Sequence, residues 1–499
     1  MGTDTTYSAE ITPYSDVRRT ARDLLARGFK ELRDSRVIPR ARTAAWIEVG
    51  RDYEGSLLNG TQELRLFEEA LAAAFPHRFT GGVGEKEFAS MYAFGLVEGA
   101  VARIALADAP FRADGPVAST AIDELLALLQ TPSQEAVVVR IVSDLKVQGD
   151  EPIVVGPLEV KPNAGRFYDA ARAVGEILPG AGHEIWREKH FGMAYDLAIV
   201  VTRGTAQPDR ERTWTAFDVA ARQSSQRINA FVTVLRMAMA ATTENIVEAV
   251  GQAGFVRVYR PRIEYFRRQW MPLAIRRVAS LEKRHVSGLT ELLEHLERWE
   301  GNDPKKPTVL GIALARLNRS YEATPWFDKL VDLCVGLEAV LIGGTEQEEI
   351  SLKLRTRAAY LLATPRDPVG AIYRDVQSLY GLRSRIMHGS TLSASQIASR
   401  FGQVSVSARS PHPSDHGNLS IDRLRDLLRR AILARGFLDE KGIWPLAAKD
   451  FDVDHSLIDQ QERLRWQAAW RNSLAELGLS ESPDSAPPPP LDWVKSSPE

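Results

Sequence analysis

Between residues 324 and 389 the chain is punctuated as three amphipathic helices in succession, and this stretch constrains the fold most. In "TPWFDKLVDLCVGLEAVLIGG", Thr324 is placed to be an N-cap, with Pro325 at the first helical position. Phe327, Leu330, Val331, Cys334, Leu337 and Leu341 share one face, and Gly343 and Gly344 stop the helix. Glu338 lies on that same face, where a carboxylate needs a partner. In the next segment Thr345 and Glu348 have capping-box spacing, and Ile350, Leu354, Ala358 and Leu361 form the stripe. The third helix has Asp367 as its expected N-cap and Pro368 at its first position. Its stripe is Val369, Ile372, Val376 and Leu379, then Arg383 and Ile386.

Arg383 therefore falls where the pattern calls for an apolar residue. A permanently charged guanidinium there needs a carboxylate, a partner chain or a phosphate. His388 follows five residues later, about 140° further round the axis. It sits in the last turn before Gly389, where the negative end of the helix dipole favours imidazolium. One and two turns back lie Ser384 and Gly381, both small, which leaves open space beside the ring. Either the arginine wraps round to the histidine, or the two act together across two chains.

The first 130 residues read as helices. "SDVRRTARDLLARGFKELRD" begins at a candidate cap, Ser15, and aligns Ala21, Leu24, Leu25 and Phe29; "TQELRLFEEALAAAF" starts behind Thr61. A mixed α/β region, 131–300, follows. "AVVVRIVS" (136–143), "EPIVVGPLEV" (151–160) and "AYDLAIVVT" (194–202) are β-branched runs between turn residues and predict strands. Helices are expected again from about 215 to 300, with "FVRVY" (255–259) as a further candidate strand. "WEGNDPKKPT" (299–308) reads as a linker. The compact helical region of 308–446 follows it, with a last helix inside 447–479. The Pro-rich end, 480–499, lacks the apolar residues to order itself.

Bulk properties exclude some classes. The single cysteine, Cys334, rules out an intramolecular disulfide framework and a Cys-based zinc site, and fits a reducing, cytoplasmic setting. A formal net charge of −2 means that any nucleic-acid contact must come from a local patch. No apolar run approaches the roughly 20 residues of a membrane helix, so no membrane partner is expected. The polar N-terminus is not a signal peptide, although "MGTDTT" fits the loose acylation pattern. His183, His190, His285, His412 and His416 lack metal-ligand spacing, and "TGGVGEKEF" is not a P-loop. No metal or other cofactor is expected.

"DKLVDLCVGLEAVLIGG", "KLRTRAAYLL" and "LYGLRSRIMHG", in that order over residues 310–440, resemble the Apea-type branch of the HEPN superfamily. The resemblance implies a mainly α fold whose C-terminal part is a dimerising helical bundle, preceded here by the α+β region with its short strand-rich segment. It also implies a metal-independent endoribonuclease of antiviral or toxin-type defence, acting on RNA. In that family the arginine and histidine of an R-x4-H motif from both subunits meet in one cleft. On this chain those are Arg383 and His388, with Ser384 as the polar residue after the arginine and Glu338 as the retained glutamate. Gly336 replaces the family's alanine. The N-terminal region would then sense an unknown trigger. The products would be 2′,3′-cyclic phosphate and 5′-hydroxyl ends, because the RNA's own 2′-hydroxyl attacks while imidazole moves the proton and guanidinium holds the phosphate.

Plainer readings compete with these. Arg383 and Glu338 can form a structural pair, the bundle being a non-catalytic dimerisation or RNA-binding module. Cys334 reads as core. The segment 254–285 has nine Lys/Arg against two Glu, with aromatics interleaved, so Arg257, Arg260, Arg262, Arg267 and Arg268 are candidate RNA contacts. The alternative is an amphipathic element with solvated arginines. Arg385 is a further candidate contact. Arg425 is another, belonging with Arg423, Arg429 and Arg430 to a helix expected either to line the cleft or to face solvent.

Overall fold

The computed structural model describes residues 14–479 apart from 35–57, 59, 77–84, 107–108, 132–133, 164–165, 179–180, 182–184, 186–195, 207–212, 253–260, 267–276, 302–305, 322–324, 344–348, 390–391 and 445–452. Its N-terminal layer is helical: α1 (Ser15–Asp34), α2 (Gln62–Ala74), α3 (Glu85–Leu106) and α4 (Pro116–Gln130). The stripe read on α1 is the buried one, including Ala21, Leu24, Leu25 and Phe29. Thr61 caps α2 by accepting from the Leu64 N–H.

A six-stranded antiparallel sheet follows. Its elements in chain order are β1 (Gln134–Ser143), β2 (Leu145–Val147), β3 (Ile153–Val155), β4 (Leu158–Asn163), α5 (Phe167–Ile177), β5 (Leu197–Ala206), α6 (Thr213–Met239), β6 (Glu244–Gln252), β7 (Arg262–Tyr265) and β8 (Ala279–Leu281). The spatial order is β3-β4-β5-β1-β6-β7, while β2 and β8 pair separately. Alternation along β1 sends Val137, Val139 and Ile141 to the α5 side and Val138 and Val142 to the core shared with α6. The three expected strands are present. Residues 244–252, expected to be helical, form β6 instead. That strand is buried almost throughout, so it shows no in–out alternation to separate it from a buried helix. "FVRVY" lies outside the described residues.

The C-terminal half consists of α7 (Val286–Glu300), α8 (Val309–Arg319), α9 (Trp326–Leu341), α10 (Ile350–Leu362), α11 (Val369–Met387), α12 (Ala394–Gly402), α13 (His416–Glu440), α14 (Val453–Ile458) and α15 (Gln460–Glu476). Within the segment read as a linker, Gly301 ends α7 at φ 82° and the Thr308 hydroxyl caps α8. The two halves nonetheless share one buried cluster, running from Val17 to Leu477. Trp299 of α7 lies against Gly436 of α13, where an added Cβ would come within 2.4 Å of the indole.

Helix α13 is the axle of this half. It is buried from Leu419 to Leu438, yet carries Asp422, Arg423, Arg425, Asp426, Arg429, Arg430 and Arg435. Helices buried all round are ordinarily apolar. Here each arginine finds a partner that the local sequence does not display. Arg423 donates to both Asp367 oxygens at 2.8 Å and to Asp375 at 2.9 Å. Arg430 reaches Asp367 and the Leu362 carbonyl, the last of α10. Arg425 donates to the Ser320 hydroxyl and carbonyl at the C-cap of α8. Arg429 donates to the Met237 carbonyl near the end of α6, and Arg435 to Val340 near the end of α9. Guanidinium groups thus satisfy carbonyls that helix ends leave open, at the negative pole of each dipole. Arg277 closes the lattice with Asp422 at 2.7 Å.

Two expectations change accordingly. Arg423, Arg425, Arg429 and Arg430 neither line a cleft nor face solvent, and Arg425 is not an RNA contact, because all four are buried. Asp367 is not an N-cap. Pro368 takes that place, while the Thr364–Asp367 backbone bridge belongs to a turn in which the carboxylate meets Arg423 and Arg430. Thr324 and the Thr345–Glu348 box lie outside the described residues; Pro325 takes the N-cap place of α9 rather than its first helical position, and α10 begins behind Glu349.

Burial alone would raise the Asp426 carboxyl, but Arg430 and Arg429 outweigh it and leave it at about 2. Asp367 is likewise held low, by Arg430 and Arg423 against its burial. Carboxylates depressed by folding stabilise the fold above their ordinary range and lose that contribution as pH falls towards the folded value. Thermal melting should therefore change little between neutrality and about pH 5, and fall steeply below about pH 4. Asp367→Asn strands two buried guanidiniums and should cost about 3–5 kcal/mol in chemical denaturation; a loss under about 1 kcal/mol would contradict the lattice.

Candidate functional site

Helix α11 ends at Met387, with His388 as its C-cap and Gly389 at φ 69°. The His388 N–H donates to the Ser384 carbonyl and the Gly389 N–H to Ile386, closing the last turn. The imidazole is exposed, as are Arg385 and Met387, while Ser384 is half-buried. A Cβ on Gly381 would meet nothing within 4 Å, so the space read beside the histidine is present.

Arg383 sits at the margin of the core. Leu382 takes the buried position and the Arg383 side chain is 20% exposed. Its Nη2 lies 3.4 Å from Glu338 Oε1 and 3.5 Å from Oε2. Charge-assisted pairs normally close to about 2.7–2.9 Å, and those of Arg423 on α13 do so. The Arg383–Glu338 pair is loose by comparison, and it leaves Arg383 Nε and Glu338 Oε1 without a hydrogen bond. The guanidinium lies 5.4 Å from the Tyr380 ring centroid. Burial, and then the hydrogen bond to Glu338 with its charge, hold the Tyr380 phenol protonated well above its usual range. Tyr380 and Arg383 thus both neighbour Glu338 from one face of α11. The Tyr380 signal was in the sequence, one turn before Arg383, but a tyrosine at that spacing reads equally well as packing.

Gly336 has a structural reason. A Cβ there would come within 2.7 Å of Leu428 Cδ2, so the approach of α9 to α13 excludes alanine unless Leu428 moves. Cys334 is buried beneath the pair, and burial pushes its thiol up to about 12.

The basic candidates are not assembled. Arg262 is exposed on edge strand β7, 3.7 Å from Asp218, whereas Arg385 is on the bundle. Arg257, Arg260, Arg267 and Arg268 lie outside the described residues, as do His183 and His190. Among the described residues no group of three or more His, Cys, Asp or Glu is placed to hold a metal ion, and no helix is long and apolar enough to cross a membrane.

A second polar cluster had only one sequence signal, an arginine within the apolar run "VVVRIVS". Arg140 of β1 is fully buried against Glu248 of β6, beneath Ser225 and Asn229 of α6.

No family model, curated protein or solved structure matches this chain.

As the single cysteine, Cys334 reports on opening of the α9–α11 packing. A thiol-specific chromophore should label it at the rate of unfolding, and stoichiometrically in denaturant. Fast labelling of the folded protein would contradict the packing described.

Proposed function

We propose that the chain is a metal-independent endoribonuclease, with Arg383 and His388 as its reacting side chains and two copies of the α11 end forming the complete site. The observation that carries this reading is the contrast between Arg383 and the buried arginines Arg423, Arg425, Arg429 and Arg430 of α13. The α13 guanidiniums close on aspartates and helix-end carbonyls, Arg423 at 2.8 Å from Asp367, whereas Arg383 stands 3.4 Å from Glu338, five residues before an exposed histidine. A locked guanidinium cannot exchange its partner for a phosphate; a loosely held one can.

In the proposed step the RNA 2′-hydroxyl attacks its own phosphorus. One His388 removes the 2′ proton, and the second copy's histidine supplies a proton to the departing O5′. Arg383 holds the non-bridging oxygens as negative charge grows on them. The bond formed is O2′–P and the bond broken is P–O5′. Exposed Phe327, Leu352 and Met387, on α9, α10 and α11, provide apolar surface for pairing of copies. The family resemblance supplies the setting, RNA cleavage in antiviral defence with the N-terminal region as sensor.

The Arg383–Glu338 contact also favours a second reading, in which the pair is structural and the bundle binds without turnover. The two readings part on substitution. Under the first, Arg383→Ala and His388→Ala each reduce cleavage of total RNA by at least about 100-fold. Both retain the fold, since His388 is exposed and the 3.4 Å Arg383–Glu338 pair lies at the margin of the core, outside the α13 lattice. Undiminished cleavage by either variant would end the catalytic reading. Absence of turnover in the wild type, with RNA binding that survives His388→Ala, would favour the second.

A further inference from the structure

The Arg140 cluster lies on the sheet face covered by α6, beside the exposed edge strand β7. Strand register sets Arg140 opposite Glu248, and Glu248 opposite Glu264. The Arg140 guanidinium is fully used: it donates to Glu248, Asn229 and Ser225, and Ser225 in turn donates to Glu248. It is therefore a floor that fixes other side chains, and no ligand needs to touch it.

The groups around that floor are not all engaged. Phe266 lies with its ring centroid 4.8 Å from the Arg140 guanidinium carbon and is 40% exposed. Asn229 is exposed, and its Oδ1 is taken by Arg140, so its Nδ2 is left to donate. Asn245 donates to the same Oδ1, while its own Oδ1 is buried without a partner. Glu264 is exposed and has no ion pair or hydrogen bond among the described residues.

Charge limits what this surface accepts. Among the described residues, Arg140 offsets Glu248 and also feels Glu264, and Arg262 stands 3.7 Å from Asp218, which leaves Glu264 as the exposed carboxylate of this face. A carboxylate in that place disfavours phosphate. The surface suits a flat, uncharged ring that offers N–H donors to a carboxylate and a carbonyl to an amide N–H. We infer that this surface binds a guanine base. N1–H and the exocyclic amine would donate to Glu264, O6 would accept from Asn229 Nδ2, and the ring would stack on Phe266. Adenine would turn the lone pair of its N1 towards the carboxylate and be rejected. The inference is independent of the ribonuclease reading, since none of these residues belongs to α11.

The test uses full-length protein carrying His388→Ala, so that RNA stays intact whichever reading of the bundle holds. Calorimetric titrations compare GMP with AMP, and a guanine-containing single-stranded 12-mer with its adenine counterpart. Guanine ligands should bind at least about tenfold more tightly. Phe266→Ala should weaken binding by about tenfold or more. Glu264→Gln, an exposed isosteric change with no folding liability, should remove the guanine preference. Binding of both GMP and RNA means that the base alone suffices, and binding of RNA alone means that it is read within a strand; either supports the site. Equal affinity for guanine and adenine, binding unaltered by Glu264→Gln, or no binding of any ligand at millimolar concentration would overturn it.

Discussion

The pairing of arginines on α13 with aspartates and helix-end carbonyls is the interaction on which the rest of the structure depends. A helix buried over twenty residues with charged side chains would be untenable if those charges were unmatched, because desolvation costs several kcal/mol per ion. Each guanidinium instead meets a carboxylate, a carbonyl at a helix C-terminus, or both. The arginines thereby close the ends of α6, α8, α9 and α10, and they fix where those helices stop relative to the axle. Arg277–Asp422 and Arg429–Met237 extend the lattice into the strand-bearing half, so both halves are referenced to one helix.

That lattice is also the part least legible in the sequence. "SIDRLRDLLRRAILARGF" has too many charges to look buried, and the partners that make burial possible lie far away, at Asp367, Asp375, Ser320 and Met237. Asp367 was misread for the same reason: an aspartate before a proline has a local role as a cap, and only the fold supplies its distant one. Strand β6 escaped detection because burial on both faces erases alternation. Features with local causes were readable. The stripe of α1, the Thr61 cap, the three β-branched runs and the glycine stop behind His388 all follow from residues within a few positions of one another.

The α11 end stands between these cases. Its unusual composition was visible in the sequence as an arginine in an apolar stripe and a histidine beyond it. What the sequence could not give is the quality of the Glu338 contact. Against the Arg423–Asp367 pair at 2.8 Å, Arg383 stands 3.4 Å from Glu338.

The most direct test of the central claim is the chemistry of the cut ends, read after incubating purified full-length protein with a defined single-stranded RNA in the presence of a chelator. Intramolecular attack by the 2′-hydroxyl predicts fragments ending in 2′,3′-cyclic phosphate and beginning with 5′-hydroxyl, formed equally well with the chelator present. Fragments bearing 3′-hydroxyl and 5′-phosphate, or cleavage abolished by the chelator, would contradict it.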